Sequence, residues 1–135
     1  MTMNQGLIPA KWAALTPNRM ALYDVPNDRR ITFAALDERV RRLANGLRGL
    51  GLEKGDRVAV LTKNSIEFQE LFFAVGRAGL ILQPLNWRLA TPSLLGLVAD
   101  ATPKVLITAS EFRPVGEELS RSASVGHWLE FGPGG

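Results

Sequence analysis

Cysteine is absent from this chain, and histidine occurs only once, at His127. Without cysteine there is no disulfide framework, no thiolate nucleophile and no cysteine-bound metal. A single histidine also excludes a histidine-rich metal centre. Because His127 lies in an apolar segment beside Trp128, we interpret it as a structural residue. The sequence therefore predicts no metal-binding residues.

Long apolar runs are missing as well. The densest apolar region, residues 71–82, is interrupted by Gly76, Arg77 and Gly79. Nothing in the sequence approaches the ~18 apolar residues that indicate a membrane-spanning helix. The first residues also lack the basic stretch and apolar run of a secretory signal. We therefore expect a soluble, cytoplasmic protein without a transmembrane segment.

Charge of one sign is scarce. The chain has 135 residues, and its 16 Lys and Arg against 13 Asp and Glu give a net charge of +3. A charge this small and this mixed does not indicate a nucleic-acid partner. Apolar residues make up 46% of the sequence, which is ordinary for a globular protein with a hydrophobic core. The length suits one small domain.

Familiar catalytic motifs are missing too. No GxGxxG follows the strand-like run DRVAVLT, which argues against a dinucleotide-binding site. No serine lies in a GxSxG setting. The glycine-rich segment GLRGLGLEKGD lacks GK[ST] and lies between a helix and a strand, so it is a helix end and a turn. The residues alone indicate an α/β module without recognisable catalytic machinery.

The N-terminal part of the chain predicts a short helix, a hairpin and a longer helix. The short helix is Ile8–Leu15, and the runs MALYDV and RRITF flank the turn formers PNDR. Thr32 is the expected N-cap of the long helix. Its apolar stripe recurs at steps of four and three residues, at Leu36, Val40, Leu43, Leu47 and Leu50.

Charged residues on the outer face of this long helix are spaced for ion pairs. Asp37 and Arg41 are four residues apart, and so are Glu38 and Arg42. We expect these four residues to form a solvated face rather than a binding patch.

Strand and helix patterns then alternate along the chain. Strands are predicted at residues 57–62, 80–85 and 104–108, and helices at 33–48, 65–78 and 92–101. The order βαβαβ favours a parallel sheet with helical crossovers. The predicted fold class is therefore α/β, with a three-layer, mainly parallel sheet and an N-terminal β-hairpin. A helix near 111–121, a strand in GHWLEF and a loose C-terminal end over 126–135 complete the prediction.

A polar group of residues follows the predicted strand LILQPL. In open α/β sheets, ligands bind at the carboxyl ends of the strands, and Asn86, Trp87 and Arg88 occupy such a position. The Arg88 guanidinium suits a phosphate group, and Trp87 could support it by stacking. The alternative is a surface arginine that pairs with Asp100 or Glu67.

Two motifs give the sequence a specific resemblance. ITFAAL resembles the first core motif of the adenylate-forming enzymes, Leu-Thr-Tyr-x-Glu-Leu. VGRAGLILQPLN is similar to the second, Leu-Lys-Ala-Gly-x-Ala-Tyr-x-Pro-Leu/Ile-Asp. Their order and spacing match the AMP-forming acyl-CoA synthetases above all, from about residue 8 to the end. Ala35 replaces the Glu of the first motif, and Asn86 replaces the Asp of the second, as in acyl-CoA synthetases.

The resemblance implies that residues 1–135 form part of an N-terminal (AMP-binding) domain, truncated before the phosphate loop. No TSGTTGxPKG-like run occurs in the sequence. The family's adenine-binding segment, ribose-binding Asp and C-terminal Lys are also missing. The resemblance implies ATP, Mg²⁺ and CoA for a full-length enzyme, and none of them is expected to bind tightly to this chain.

The implied activity is that of an ATP-dependent acid–CoA ligase. Such an enzyme activates a carboxylic acid, here a fatty or aryl acid, as acyl-AMP and transfers the acyl group to CoA. We expect the segment alone to be inactive, and no residue is assigned a catalytic role. The resemblance places Arg88 towards the nucleotide end of CoA, as a phosphate ligand that Trp87 supports.

Two alternatives remain at this stage. One is a non-catalytic remnant that acts as an interaction module, and the other is an unrelated flavodoxin-like binding module. Exposed apolar surface on a partial domain also leads us to expect self-association.

Overall fold

The computed structural model describes residues 4–122 and 125–132. These residues form two compact units. We call residues 4–54 and 64–80 the helical unit, and the described residues of 55–63 and 81–132 the sheet unit. Within the described ranges, none of the helices combines the length and the apolar character that a membrane crossing requires.

The helical unit contains three helices and a hairpin, as the sequence predicts. A 3₁₀ turn at Gln5–Leu7 precedes the first helix, and β1 and β2 are antiparallel. The elements are α1 (Ile8–Leu15), β1 (Met20–Asp24), β2 (Arg29–Thr32), α2 (Phe33–Arg48) and α3 (Ile66–Arg77).

Helix α2 begins at the predicted cap. The Thr32 hydroxyl oxygen accepts a hydrogen bond from the Ala35 backbone N–H at 3.2 Å, which satisfies one free donor of the first turn. Gly51, with a φ of +79°, turns the chain after the helix in a conformation that glycine adopts without steric cost. Leu36, Val40 and Leu47 of the predicted stripe are buried, and so is Ala44. Leu43 and Leu50 are only partly buried.

One of the two predicted ion pairs on α2 forms. Arg42 Nη2 lies 2.7 Å from Glu38 Oε1, as expected for residues four apart. Asp37 instead pairs with Arg77 of α3. The reason is that Asp37 faces the neighbouring helix, so a partner distant in sequence reaches it.

Helix α3 begins after Ser65, which caps its first turn. The Ser65 hydroxyl accepts from the Phe68 backbone N–H at 3.1 Å. Phe72 of this helix is a large apolar residue, yet it is 37% exposed. The buried residues are Ile66, Glu70, Leu71, Ala74 and Val75.

The sheet unit is a four-stranded, fully parallel sheet in the order β4-β3-β5-β6. The strands predicted at residues 57–62, 80–85 and 104–108 are confirmed, and each end lies within one residue of its predicted position. The strands are β3 (Arg57–Leu61), β4 (Ile81–Leu85), β5 (Val105–Ala109) and β6 (His127–Phe131), and the helices are α4 (Thr91–Ala101) and α5 (Arg113–Ser122).

Strand β6 corrects the prediction of a loose C-terminal end over residues 126–135. Residues 127–131 pair in register with β5, and Ile107 lies opposite Leu129. The strand predicted in GHWLEF therefore holds this part of the chain in the sheet through backbone hydrogen bonds. Residues 133–135 of the predicted loose end lie outside the described residues.

Helices α4 and α5 pack on one face of this sheet. Their buried side chains meet residues of β3, β4 and β5, and on β3 these are Ala59 and Leu61, two positions apart as the period of a strand requires. The core consists of Ala59, Leu61, Leu85, Leu94, Val98, Leu106 and Leu119. This core anchors the strands whose ends carry the candidate site.

Candidate functional site

The carboxyl ends of the four parallel strands meet at one edge of the sheet. Leu61 of β3 lies opposite Leu85 of β4, and Ala109 of β5 lies opposite Phe131 of β6. We call the residues that follow these strand ends, 62–63, 86–88, 110–113 and 132, the carboxyl edge. Open α/β sheets bind ligands at such an edge, so its side chains are the first candidates for a binding site.

The turn after β4 fixes the backbone at Arg88. Asn86 Oδ1 accepts from the Arg88 backbone N–H at 3.0 Å, and the Asn86 carbonyl accepts from the Leu89 N–H at 3.0 Å. An asparagine side chain that bonds the backbone two residues later is a common turn device. Pro84 fits beside this turn because β4 is an edge strand, where a missing N–H is tolerated.

Trp87 is the centre of the carboxyl edge. It is half-buried and packs against the core under α4 and α5. Its ring centroid lies 6.2 Å from that of Phe112. Arg88 Cζ lies 5.0 Å from the same ring, and Lys63 Nζ lies 4.7 Å from it. Both distances are within the range in which an indole attracts a cation.

The cations of the carboxyl edge differ in their partners. Arg113 donates from Nε to both oxygens of Glu130, at 3.0 and 3.1 Å, and this hydrogen bond raises the pKa of Arg113. Lys63 Nζ lies 3.5 Å from Glu111 Oε2. Within the described parts of the sheet unit, Arg88 has no carboxylate at ion-pair distance. Its guanidinium is exposed and available to an anion.

The two site residues predicted from the sequence, Arg88 and Trp87, are in contact as expected from stacking. Glu67 belongs to the helical unit and accepts from Arg29 at 2.8 and 3.0 Å, and Asp100 has no ion pair with Arg88 among the described residues of the sheet unit.

Sequence reasoning missed three members of the edge, namely Lys63, Glu111 and Phe112. Each follows a strand end, as Arg88 does, so strand position was the signal that could have found them. The contacts of Lys63 and Phe112 with Trp87 depend on strand order, which brings the ends of β3 and β5 to the same edge of the sheet as the end of β4.

The arrangement is suited to binding and not to bond-making. A guanidinium offers a planar pair of donors to a phosphate oxygen pair, and an ammonium adds a point charge. No nucleophile with an adjacent base is found among the described residues of the carboxyl edge, where Ser110 has no histidine beside it.

Comparison with known proteins identifies the family to which the chain belongs. The family model described as "AMP-binding enzyme" matches residues 9–129. The chain belongs to this family. The match covers both motifs and the carboxyl edge up to Arg113. Family membership confirms the resemblance found in the sequence and excludes an unrelated flavodoxin-like module.

Curated relatives are acid–thiol ligases. The chain is 43% identical over 110 residues to a feruloyl-CoA synthase of Amycolatopsis sp, covering 80% of the chain and 22% of the relative. It is 34% identical over 120 residues to the long-chain-fatty-acid–CoA ligase FadD13 of Mycobacterium tuberculosis, covering 89% of the chain and 24% of the relative. The chain thus spans about a quarter of the length of these relatives.

Solved structures agree in fold. A Mycobacterium tuberculosis fatty acyl CoA synthetase superposes with a TM-score of 0.87 at 32% identity, over 95% of this chain and 26% of that one. A structure named "putative long-chain-fatty-acid CoA ligase" from Rhodopseudomonas palustris superposes with a TM-score of 0.90 at 31% identity, over 96% of this chain and 33% of that one. The parallel sheet and the hairpin are therefore those of an adenylate-forming N-terminal domain.

Proposed function

We propose that this chain is the first part of the N-terminal domain of a cytoplasmic, ATP-dependent acid–CoA ligase. The complete enzyme would join a fatty or aryl acid to AMP and then transfer the acyl group to the thiol of CoA. The observation that carries the proposal is an exposed arginine at a strand end, in a fold shared with acyl-CoA ligases. Feruloyl-CoA synthase and FadD13 are consistent with an aryl and a fatty acid respectively.

The chemistry explains the order of the two steps. A carboxylate is a poor electrophile, and joining it to AMP with release of pyrophosphate supplies a good leaving group. Cations and oriented N–H groups near the transferring phosphate carry most of such catalysis, with Mg²⁺ as the expected ion. We assign none of the described residues of this chain to these groups, and so none of them has a catalytic role in the proposal.

We assign Arg88 to substrate binding. Its position after β4, its exposure and the lack of a carboxylate at ion-pair distance within the described sheet unit fit a contact with a phosphate group of CoA. Trp87 supports the arginine by holding the guanidinium near its ring at 5.0 Å. The Asn86 turn fixes the backbone from which the arginine projects.

A chimera tests this role of Arg88. Residues 9–129 would replace the corresponding segment of FadD13, and adenylation and thioester formation would be measured separately. We expect both half-reactions in the chimera, and Arg88→Ala should raise the KM for CoA about fivefold with adenylation little changed. A ground-state contact supplies binding more than chemistry, which is why the two steps separate.

Two outcomes would contradict the proposal. A folded chimera that forms no acyl-adenylate would contradict the ligase function of this segment. Equal losses in both half-reactions of the Arg88→Ala variant, or no loss at all, would contradict the CoA contact. Arg121→Ala is the matched control, because Arg121 is exposed on α5 and has no assigned role.

The chain of 135 residues alone is proposed to be inactive. It contains no phosphate loop, so ATP–pyrophosphate exchange with fatty and aryl acids should stay at background. Intact FadD13 in the same assay is the positive control. Exchange above background from a preparation free of host ligases would refute inactivity, and activity restored by the chimera would separate a missing loop from a non-catalytic remnant.

A further inference from the structure

Lys63 reaches the same indole as Arg88 from a different strand. Its Nζ lies 4.7 Å from the Trp87 ring centroid, and Arg88 Cζ lies 5.0 Å from it. Both cations therefore lie within about 10 Å of each other, around one aromatic ring. The Lys63 side chain is 51% exposed, so a ligand in solution can approach it.

The strand order explains how Lys63 comes to this position. Lys63 is two residues beyond the end of β3, and β3 pairs with β4 up to Leu61 and Leu85. Trp87 is two residues beyond the end of β4. The parallel register thus brings Lys63 and Trp87 side by side, although 24 positions separate them in the sequence.

Two positive charges lie beside the Trp87 ring. Lys63 and Arg88 carry them, and Glu111 Oε2, 3.5 Å from Lys63 Nζ, pairs with Lys63. Glu111 is itself 51% exposed, so its ion pair with Lys63 contributes little and is easily exchanged for another anion. Two cations beside one indole also repel each other, and an anion between them would relieve that repulsion.

We propose that Lys63 is a second phosphate-binding residue, which acts with Arg88 on the phosphate groups of CoA. This inference rests on the proposed function. Glu111 is the counter-ion of Lys63 before the ligand arrives and is displaced when a phosphate takes its place. CoA suits two separated cations because it carries a diphosphate and a further phosphate. Trp87 keeps both cations at the edge of the sheet.

The test follows the indole N–H NMR signal of Trp87 in the chain of 135 residues, with a Trp87→Phe variant to assign it. The chain is titrated with CoA, and the dissociation constant is compared between wild type and Lys63→Met. Removing one exposed cation from a phosphate contact should weaken CoA binding about three- to tenfold. Lys63→Arg should restore most of the affinity because it keeps the charge.

Lys104→Met is the matched control. Lys104 is an exposed lysine of the same unit and carries the same charge, but it precedes β5 and so lies at the opposite ends of the strands. Its loss should leave the CoA affinity within about twofold of wild type. The comparison separates a contact at the carboxyl edge from a general effect of net charge.

Glu111→Gln gives a result that a structural role of Lys63 would not produce. Removing the competing carboxylate should tighten CoA binding about two- to threefold. In the Lys63→Met background the same substitution should have a smaller effect, because the displaced ion pair is already gone. A purely structural Lys63–Glu111 pair would instead make both single variants equally weak binders.

Titration with ATP distinguishes the source of the phosphate. Lys63→Met should weaken CoA binding more than ATP binding, and equal losses would overturn the assignment to CoA. If Lys63→Met behaves like Lys104→Met while Arg88→Met weakens binding, the inference fails and the proposed function stands. If neither Lys63→Met nor Arg88→Met weakens binding, or if CoA leaves the Trp87 signal unmoved, the two-cation site is refuted; the chimera then decides on the ligase function by itself.

Discussion

Arg77 Nη2 donates to Asp37 Oδ1 at 2.7 Å, and this ion pair joins α3 to α2 inside the helical unit. The two side chains are only 10% and 17% exposed. Arg77 Nε also donates to the Gly6 carbonyl at 2.8 Å. A single guanidinium thus connects the 3₁₀ turn at the N-terminus, α2 and α3.

Removing this guanidinium should destabilise the helical unit. Arg77→Met keeps the aliphatic stem but leaves the Asp37 carboxylate without its partner in a poorly solvated place. We expect the free energy of unfolding to fall by about 2–3 kcal/mol in urea denaturation. Arg42→Met, which breaks the exposed pair with Glu38, should cost no more than about 0.5 kcal/mol. If the two variants lost the same free energy of unfolding, the Arg77–Asp37 pair would contribute no more to stability than an exposed ion pair does.

Gly6 has no room for a side chain. A Cβ at this position would overlap the backbone N of Arg77 and lie 2.5 Å from the Phe73 carbonyl oxygen. Because the obstacles are backbone atoms, Gly6→Ala should lower the free energy of unfolding by about 1–3 kcal/mol. The melting temperature and the urea midpoint measure this loss.

Gly46 provides the opposite case. It lies in α2, and a Cβ there would meet nothing within 4 Å. Alanine is the better helix former, so Gly46→Ala should stabilise the chain by up to about 1 kcal/mol. Gly46→Ala is therefore the control for Gly6→Ala. If Gly6→Ala also raised the free energy of unfolding, the turn at Gln5–Leu7 would not be packed against α3 as described.

Local signals explain which parts of the fold could be predicted. Thr32 and Ser65 cap helices through hydrogen bonds that span three residues, so their types and positions suffice. The strands follow from short apolar runs, and helix-length spacers between them favour parallel pairing. The position of Arg88 after β4 follows from the same pattern.

Contacts between residues far apart in the sequence explain which features could not be predicted from it. Glu70 carries a charge, which favours an exposed position, yet it is 3% exposed and pairs with Arg39 of α2. Asp37 had a local partner in the expected place but pairs with a residue forty positions away. Lys63 reaches Trp87 through strand order, which no property of either residue encodes.

Glu70 should make stability depend on pH. Burial raises the pKa of this carboxyl above its ordinary value of 4.5, while Arg39 of α2 and, more weakly, Arg29 of β2 oppose the shift and Glu67 of α3 adds to it. A raised pKa means that the folded state binds the proton more tightly than the unfolded state. The contribution of Glu70 to stability is therefore fully present below pH 4.5 and is lost as the pH rises through the folded-state pKa.

Glu70→Gln removes this dependence. Urea unfolding from about pH 4 to about pH 8 should show that the wild type loses free energy of unfolding relative to the variant as the pH rises. Glu38→Gln, at an exposed carboxylate on α2, is the control and should run parallel to wild type. A constant difference between wild type and Glu70→Gln across this range would contradict the raised pKa.

Self-association through exposed apolar surface is expected at the β4 edge of the sheet. Ile81 is 49% exposed on this edge strand, and Leu97 of α4 is 42% exposed. Gln83 shares the strand face of Ile81, and its Nε2 donates to the Leu97 carbonyl at 3.1 Å, so both apolar residues border one surface. An edge strand with exposed apolar side chains is a site where a second copy can pair.

Charged substitutions on this surface should therefore favour the monomer. Ile81→Lys combined with Leu97→Lys should weaken self-association about tenfold or more, as measured by sedimentation velocity over a range of concentrations. Ser93→Lys, at an exposed polar position of α4, adds the same kind of charge and should leave the association unchanged. If Ser93→Lys weakens self-association as strongly as the double substitution at Ile81 and Leu97 does, net charge and not the β4 edge governs the association.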